Sequence, residues 1–273
     1  MEIRVLGPLS AQVNGETIVP TAAKPRQILS LLALYPGRVV PVQTLMEEIW
    51  GTRPPQSALT TLQTYILQLR RRLGTAMGPA HPTGAKDILA TRHGGYLLQT
   101  PAHNVDVHRY EHLTTQGLTA FETGDNEHAA HLYRQALDLW DGPALVDIRL
   151  GPVLEIEALR LEESRLVATE RRIDADLRLG RHSELIAELT DLTARHPHHE
   201  GLQSQAMLAL YRAGRQSTAL DIYRRLRTRL IDELGVEPSP QLQRLHQAML
   251  TVDPQLDTLT TPKPTSTFNL FAA

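Results

Sequence analysis

Thr60, Thr64, Leu67, Gln68 and Arg71 recur three and four residues apart, with Thr61, Gln63 and Arg72 beside them. On an α-helix that spacing gathers them on one face. Hydroxyls and amides can hydrogen-bond base edges, a guanidinium can grip guanine or a phosphate, and a leucine can pack on a thymine methyl. The chemistry open to this set is the reading of duplex DNA. An ordinary solvated face is the competing reading, but such a face usually holds Glu and Lys, and this one holds neither. Opposite it, Leu62, Ile66, Leu69 and Leu73 follow 4-3-4 spacing and form one narrow apolar stripe. A helix over residues 57–73 would bury that stripe and present the polar side.

Other elements must hold this helix. Val39 to Gly51 reads as a shorter helix closed by glycine, and a further helix starts at Pro25 and runs to Pro36-Gly37. Residues 2–19 read as three short strands that turn at Gly7-Pro8 and at Asn14-Gly15, the latter a strong hairpin signal. After a Gly/Pro-containing loop over residues 74–87, Ile88 to Leu98 reads as a second hairpin turning at His93-Gly94-Gly95. Sheet, three helices, hairpin is the order of an α+β winged helix-turn-helix domain preceded by an N-terminal sheet.

Charge separates this front part from the rest. Residues 1–100 hold ten Lys or Arg and five Asp or Glu, a balance of +5. The remaining 173 hold eighteen and twenty-five, a balance of −7, and the two sum to the net −2. A basic front and an acidic back fit a nucleic-acid module joined to something else. The chain has no cysteine, which excludes disulfides and thiolate metal sites. No apolar run approaches membrane-spanning length and Met1 to Val5 lacks the pattern of a signal peptide, so a cytoplasmic, nucleoid-associated protein is expected, with no membrane partner.

Residues 99–105 lack periodicity and read as a linker; residues 106–251 read as almost wholly helical. Gly124, Gly180 and Gly214 each break between two helices, with packing residues at offsets of five and nine: Ala129 and Tyr133, Leu185 and Leu189, Ala219 and Tyr223. Gly180 and Gly214 lie 34 residues apart, the tetratricopeptide period, whereas the first unit is displaced by an inserted long helix from about Pro152 to Leu179. Ser239-Pro240 starts a last helix as N-cap and first residue. Residues 252–273, rich in proline and threonine, read as a disordered tail.

Three segments of the front part resemble the DNA-binding domain of OmpR/PhoB-type response regulators, the effector half of two-component systems. They are Ile49-Trp50-Gly51, Leu69-Arg70-Arg71-Arg72-Leu73 and Arg92-His93-Gly94-Gly95-Tyr96, with His93 standing where that family has a wing glycine. Such a domain followed directly by helical repeats resembles the SARP family, the antibiotic regulatory proteins of actinomycetes, whose second part is the bacterial transcriptional activation domain. The resemblance runs from Ile3-Arg4-Val5-Leu6-Gly7-Pro8 to Leu234-Gly235-Val236-Glu237-Pro238. It implies an activator of an antibiotic or other secondary-metabolite gene cluster that binds direct repeats in promoter DNA, self-associates there and contacts RNA polymerase holoenzyme. It also implies a minor-groove role for Arg92 in the wing.

Catalytic and metal readings fall away. His128 with His131 lacks a third ligand nearby, and the run His196-Pro197-His198-His199 sits in a turn where polar residues are expected anyway. Glu162 and Glu163 belong to a polar helix face, and no Gly-x-Ser-x-Gly or Walker-type phosphate loop occurs. No enzyme, cofactor, catalytic residue or metal site is expected. A repressor of the same fold and a repeat-protein adaptor whose front domain merely packs stay open as alternatives.

Overall fold

The computed structural model describes residues 1–78 and 84–256. Strands β1 (Glu2–Arg4), β2 (Ser10–Val13) and β3 (Glu16–Thr17) form an antiparallel sheet in that order. Asn14 and Gly15 turn the β2–β3 hairpin with φ of 52° and 83°, the left-handed pair that a two-residue hairpin turn demands. Helix α1 (Ala23–Leu34), strand β4 (Val39–Pro41), and helices α2 (Val42–Trp50) and α3 (Ala58–Met77) follow. A one-turn helix, α4 (Ala85–Ile88), then leads into strands β5 (Leu89–Arg92) and β6 (Gly95–Leu98).

Two expectations are corrected here. Val39–Pro41 does not open the short helix but pairs antiparallel with β6, giving a second sheet in the order β4-β6-β5. The reason is local: two β-branched valines favour extended backbone, and a residue before proline is driven out of the helical region. The α3 helix also runs past Leu73 to Met77, whose side chain is buried. A Cβ on Gly95 would lie 2.2 Å from the Val40 carbonyl oxygen, so β4 and β6 approach this closely only because residue 95 is glycine.

The segment read as a linker is ordered. It holds a 3-10 turn over Ala102–Asn104 and a bridge from Val105 to Ile3. Helices α5 (Asp106–Glu122), α6 (Asn126–Leu137), α7 (Pro152–Arg178), α8 (His182–Arg195), α9 (Glu200–Arg212), α10 (Gln216–Leu234) and α11 (Pro240–Leu250) complete the fold. Gly124, Gly180 and Gly214 stand between helices with φ of 86°, 81° and 76°. All six packing residues at offsets five and nine are buried. Part of the tail is ordered too: Pro254–Leu256 forms a 3-10 turn, and Arg212 Nε donates to the Leu256 carbonyl at 2.8 Å. The rest of the expected tail, residues 257–273, lies outside the described residues, as do residues 79–83 of the loop after α3.

The chain divides into two compact units, and the division does not fall at residues 99–105. The first comprises Met1–Gln116 and Leu132–Ala168; the second comprises Gly117–His131 and the chain from Thr169. Three carboxylates hold the first unit together, and two of them, Asp106 and Glu48, are buried. Asp106, 4% exposed, accepts hydrogen bonds from the backbone N–H groups of Val5 (2.9 Å), Leu6 (3.0 Å) and Val107 (2.8 Å). Asp147 accepts from the Leu9 N–H at 2.8 Å and pairs with Arg26. Glu48, on α2 and 1% exposed, accepts from Gly151 N–H (2.7 Å), Val153 N–H (3.0 Å) and Leu154 N–H (2.9 Å). It thereby caps the N-terminus of α7, whose first N–H groups have no partner inside the helix. Desolvation pushes both the Glu48 and Asp106 carboxyls above their ordinary values, and these N–H donors pull them back.

In the second unit α9 packs between α8 and α10. Arg172, 8% exposed, pairs with Asp176 and Glu188, and Arg181 joins Asp176 (2.8 Å) to Glu127 (2.7 Å). The buried pair Arg172 and Asp176 is therefore met charge for charge.

Replacing Glu48 by Ala would leave three N–H groups without this acceptor. Glu48→Ala is expected to destabilise the chain by about 2–4 kcal/mol, read as a lowered urea midpoint, with Glu48→Gln costing less. Equal midpoints for wild type and Glu48→Ala would show that water replaces the carboxylate at no cost.

Candidate nucleic-acid interface

The α3 helix is fixed by its inner edge. Leu62, Ile66, Leu69 and Leu73 are each 2% exposed or less. The outer edge carries the residues singled out by their chemistry. Thr60, Gln63, Thr64, Leu67, Gln68 and Arg71 are exposed, and Thr61 and Arg72 are half-buried on its flanks. Leu67 is 45% exposed and Leu59, one helical position before Thr60, is 49% exposed. Leu59 was not picked out by sequence reasoning, although its spacing of four from Gln63 could have placed it on the same side. Thr64 turns its hydroxyl back to the Thr60 carbonyl at 3.0 Å, leaving an oxygen lone pair and a methyl outward.

Successive residues on a helix point about 100° apart, so the three consecutive arginines separate. Arg70 turns to the wing: its Nε donates to the Leu89 carbonyl and its Nη2 to Thr91 Oγ1, both at 2.8 Å. Arg72 turns towards the N-terminal sheet and donates to the Val19 carbonyl at 3.3 Å. Arg71 lies outward, and its guanidinium has no hydrogen-bond or ion-pair partner among the described residues. The clamp from Arg70 had no signal in the sequence beyond the basic run itself. Arg92 sits at the end of β5, exposed, opposite Gly95 in the register. Its Nη1 reaches only the Thr91 carbonyl, at 3.3 Å. His93 and Gly94 form the two-residue turn, Gly94 with φ of 77°.

All nine of these residues belong to the first compact unit. Behind them Gly51 ends α2 with φ of 59°, its N–H bonded to the Glu47 carbonyl at 2.7 Å. Lys24 Nζ stands 4.9 Å from the Trp50 ring centroid. The histidine run has local roles instead: His199 Nδ1 accepts from the Leu202 N–H at the start of α9, and His198 pairs with Glu233. Among the described residues no three His, Cys, Asp or Glu side chains gather to hold a metal ion, and no helix is long and apolar enough to cross a membrane.

Comparison with known proteins agrees with this geometry. Residues 15–98 match the family described as "Transcriptional regulatory protein, C terminal", and residues 105–250 match "Bacterial transcriptional activator domain". The chain is 54% identical to the regulatory protein DnrI of Streptomyces peucetius, over 94% of each chain. It is 38% identical to the transcriptional regulator RedD of Streptomyces coelicolor, over 94% of this chain and 72% of that one. The chain belongs to the SARP family. A solved structure of Mycobacterium tuberculosis EmbR in complex with a low affinity phosphopeptide superposes with a TM-score of 0.86 at 34% identity, covering 94% of this chain and 68% of EmbR. This SARP regulator is therefore a non-enzymatic transcriptional regulator with an OmpR-type DNA-binding domain.

Arg70 bonds a backbone carbonyl and a hydroxyl of β5, so it fixes the wing against α3. Arg70→Ala is expected to lower stability by about 1–3 kcal/mol in urea denaturation, because charge-assisted hydrogen bonds are lost. Arg71→Ala, with no such bonds to lose, is expected to leave the urea midpoint unchanged. Equal midpoints for both variants would remove the clamp.

Proposed function

We propose that this SARP regulator activates a secondary-metabolite gene cluster by binding direct repeats in promoter DNA and holding RNA polymerase holoenzyme there. The observation that carries this reading is the exposed outer edge of α3, where threonines, an amide, a leucine and a free guanidinium stand together with no carboxylate among them.

In this reading α3 enters the major groove. Thr60, Thr64, Leu67, Gln68 and Arg71 lie nearest the bases, while Thr61, Gln63 and Arg72 flank them towards the phosphates. Gln68 can pair with adenine through both amide atoms, Arg71 with guanine or a phosphate, and Leu67 can cover a thymine methyl. An exposed leucine in a polar row has a use there that solvent does not give it. Arg92 at the wing tip enters a narrow minor groove, where negative potential attracts a guanidinium with little base specificity. One winged helix spans few base pairs, so two copies bind side by side on direct repeats about 10–10.5 base pairs apart, on one face of the duplex. The helical half supplies a protein-gripping surface. About 1.4 kcal/mol of contact with polymerase raises occupancy of a weak promoter tenfold.

Tests use the full chain, because Asp106, beyond the front domain in sequence, completes the hydrogen bonding of Val5 and Leu6. Gln68→Ala is expected to cost about 1–3 kcal/mol at the preferred site and much less at a scrambled one, measured by gel shift at fixed salt. Equal losses at both sites would remove Gln68 from base reading. Inserting half a helical turn, roughly 5 base pairs, between the repeats is expected to abolish both cooperative binding and activation of purified holoenzyme. Activation that is indifferent to spacing would show that the copies act independently.

A further inference from the structure

Along α10, Thr218, Ile222, Arg225 and Arg229 recur at spacings of four, three and four, and Arg215 stands at the N-cap. This face meets α8 across a trough floored by α9, a hollow of about 410 Å³ lying wholly in the second compact unit. Leu189 and Leu226 are buried at its base and Ile186 is half-buried beside them. The α8 wall carries Thr190 and Thr193, whose hydroxyls donate to the Ile186 and Leu189 carbonyls at 2.7 Å. That wall therefore presents methyl groups and no charge.

The charges are all on one side and of one sign. Arg215, Arg225 and Arg229 line the trough, and among the described residues no carboxylate lines it. Arg215 and Arg225 are exposed, and neither side chain has a hydrogen-bond or ion-pair partner among the described residues. Arg229 reaches only Glu233, at 3.7 Å. Arg195, Arg224 and Arg227 in the same unit are matched, by Asp191, Asp221 and Glu237, whereas Arg244 on α11 stands exposed and, among the described residues, unmatched away from the trough. In a half of the chain that is acidic overall, two unmatched cations, Arg215 and Arg225, stand beside one apolar hollow. Arg215 and Arg225 are ten residues apart, about 15 Å along the helix, the length of nearly three turns of a partner helix.

We propose that the trough between α8 and α10 docks an acidic amphipathic helix of a partner protein. Its apolar residues lie on Ile186 and the leucines, and its carboxylates reach Arg215 at one end and Arg225 with Arg229 at the other. Apolar anchors give such a contact its affinity, and the charged rim selects the sign of the partner. The apolar floor offers nothing to a phosphate backbone, which favours protein over nucleic acid. The proposal rests on the reading of the helical half as a recruiting surface, to which it adds a place and a partner chemistry.

The probe is a fluorescein-labelled helical peptide of roughly 14 residues, about four turns, with leucines on one face and glutamates at both ends. It is titrated into the full chain by fluorescence anisotropy beside a control peptide with Lys for each Glu. The proteins are wild type, the double variant Arg215→Glu/Arg225→Glu, Thr190→Glu on the opposite wall, and Arg244→Glu on the exposed side of α11. All changed positions are exposed, and circular dichroism checks the fold. The glutamate peptide is expected to bind wild type and Arg244→Glu alike, with affinity falling as salt rises. It should bind the double variant and Thr190→Glu at least roughly tenfold more weakly. Equal affinity for the two peptides, or binding untouched by both wall changes, would overturn the proposal. So would a fall in promoter-DNA affinity of the double variant, which would make the trough a phosphate contact, or loss in that variant of a dimer seen by sedimentation, which would make the occupant a second copy. A chain that activates purified holoenzyme but ignores the peptide leaves the recruitment reading standing without this trough; a chain that fails to activate removes that reading whatever the peptide does.

Discussion

The first compact unit depends on a buried carboxylate that belongs to one helix and caps the start of another. Glu48 belongs to α2, yet three backbone N–H groups at the start of α7 are its hydrogen-bond partners. An ion with almost no exposure is tolerable only if its lone pairs are met, and a helix N-terminus offers donors and a favourable dipole together. The contact also fixes backbone distance. A Cβ on residue 151 would lie 1.9 Å from the Glu48 carbonyl oxygen, so only glycine lets the two segments come this close. Gln27 adds a donor from α1 at 3.3 Å, tying a third helix to the same carboxylate.

Asp106 and Asp147 repeat this solution at the N-terminal sheet. The Val5, Leu6 and Leu9 N–H groups find their acceptors on side chains a hundred or more residues downstream. Backbone bonds follow the same route, from Asp141 N–H to the Leu6 carbonyl at 2.8 Å and from Leu145 N–H to Val5 at 3.0 Å. A β-edge left open would be a site for pairing with other chains; here Val105 bridges Ile3 on β1, and the loop before α7 meets the segment just after that strand. The consequence is that the OmpR-type domain is not a separate physical body. Its sheet, its α2 helix and the first parts of α5 and α7 share one compact unit, although the family boundary falls near residue 100.

That frame explains why the outer face of α3 can be so poor in internal contacts. The apolar stripe holds the helix from below, Arg70 holds it to β5, and Arg72 holds it to the segment after β3. With position and rotation set by these, Thr60, Thr64, Leu67, Gln68 and Arg71 need contribute nothing to folding. Side chains free of structural duty on a rigid element are what groove recognition needs. A similar contrast holds in the second unit, where Arg172 and Arg181 are paired within the fold and Arg215 and Arg225 stand unpaired beside the trough.

Periodicity and turn chemistry settled a good deal without coordinates. The 4-3-4 stripe of Leu62, Ile66, Leu69 and Leu73 determined which side of α3 is buried, because a helix has only one way to hide such a row. Asn14-Gly15, Gly94, Gly124, Gly180 and Gly214 marked their turns, since each sits in the left-handed region that other residues resist. Val39–Pro41 misread as helix because three residues are too few to show a period, and their strand exists only by pairing with β6, more than fifty residues away. Which of Arg70, Arg71 and Arg72 stays free was equally beyond the sequence, since their partners Leu89, Thr91 and Val19 are brought near only by the fold. Glu48, Asp106 and Asp147 look like any surface acid in one dimension. Tertiary structure alone decides that Glu48 and Asp106 are buried and that Asp147 meets the Leu9 N–H, because the N–H groups they accept from come from distant segments.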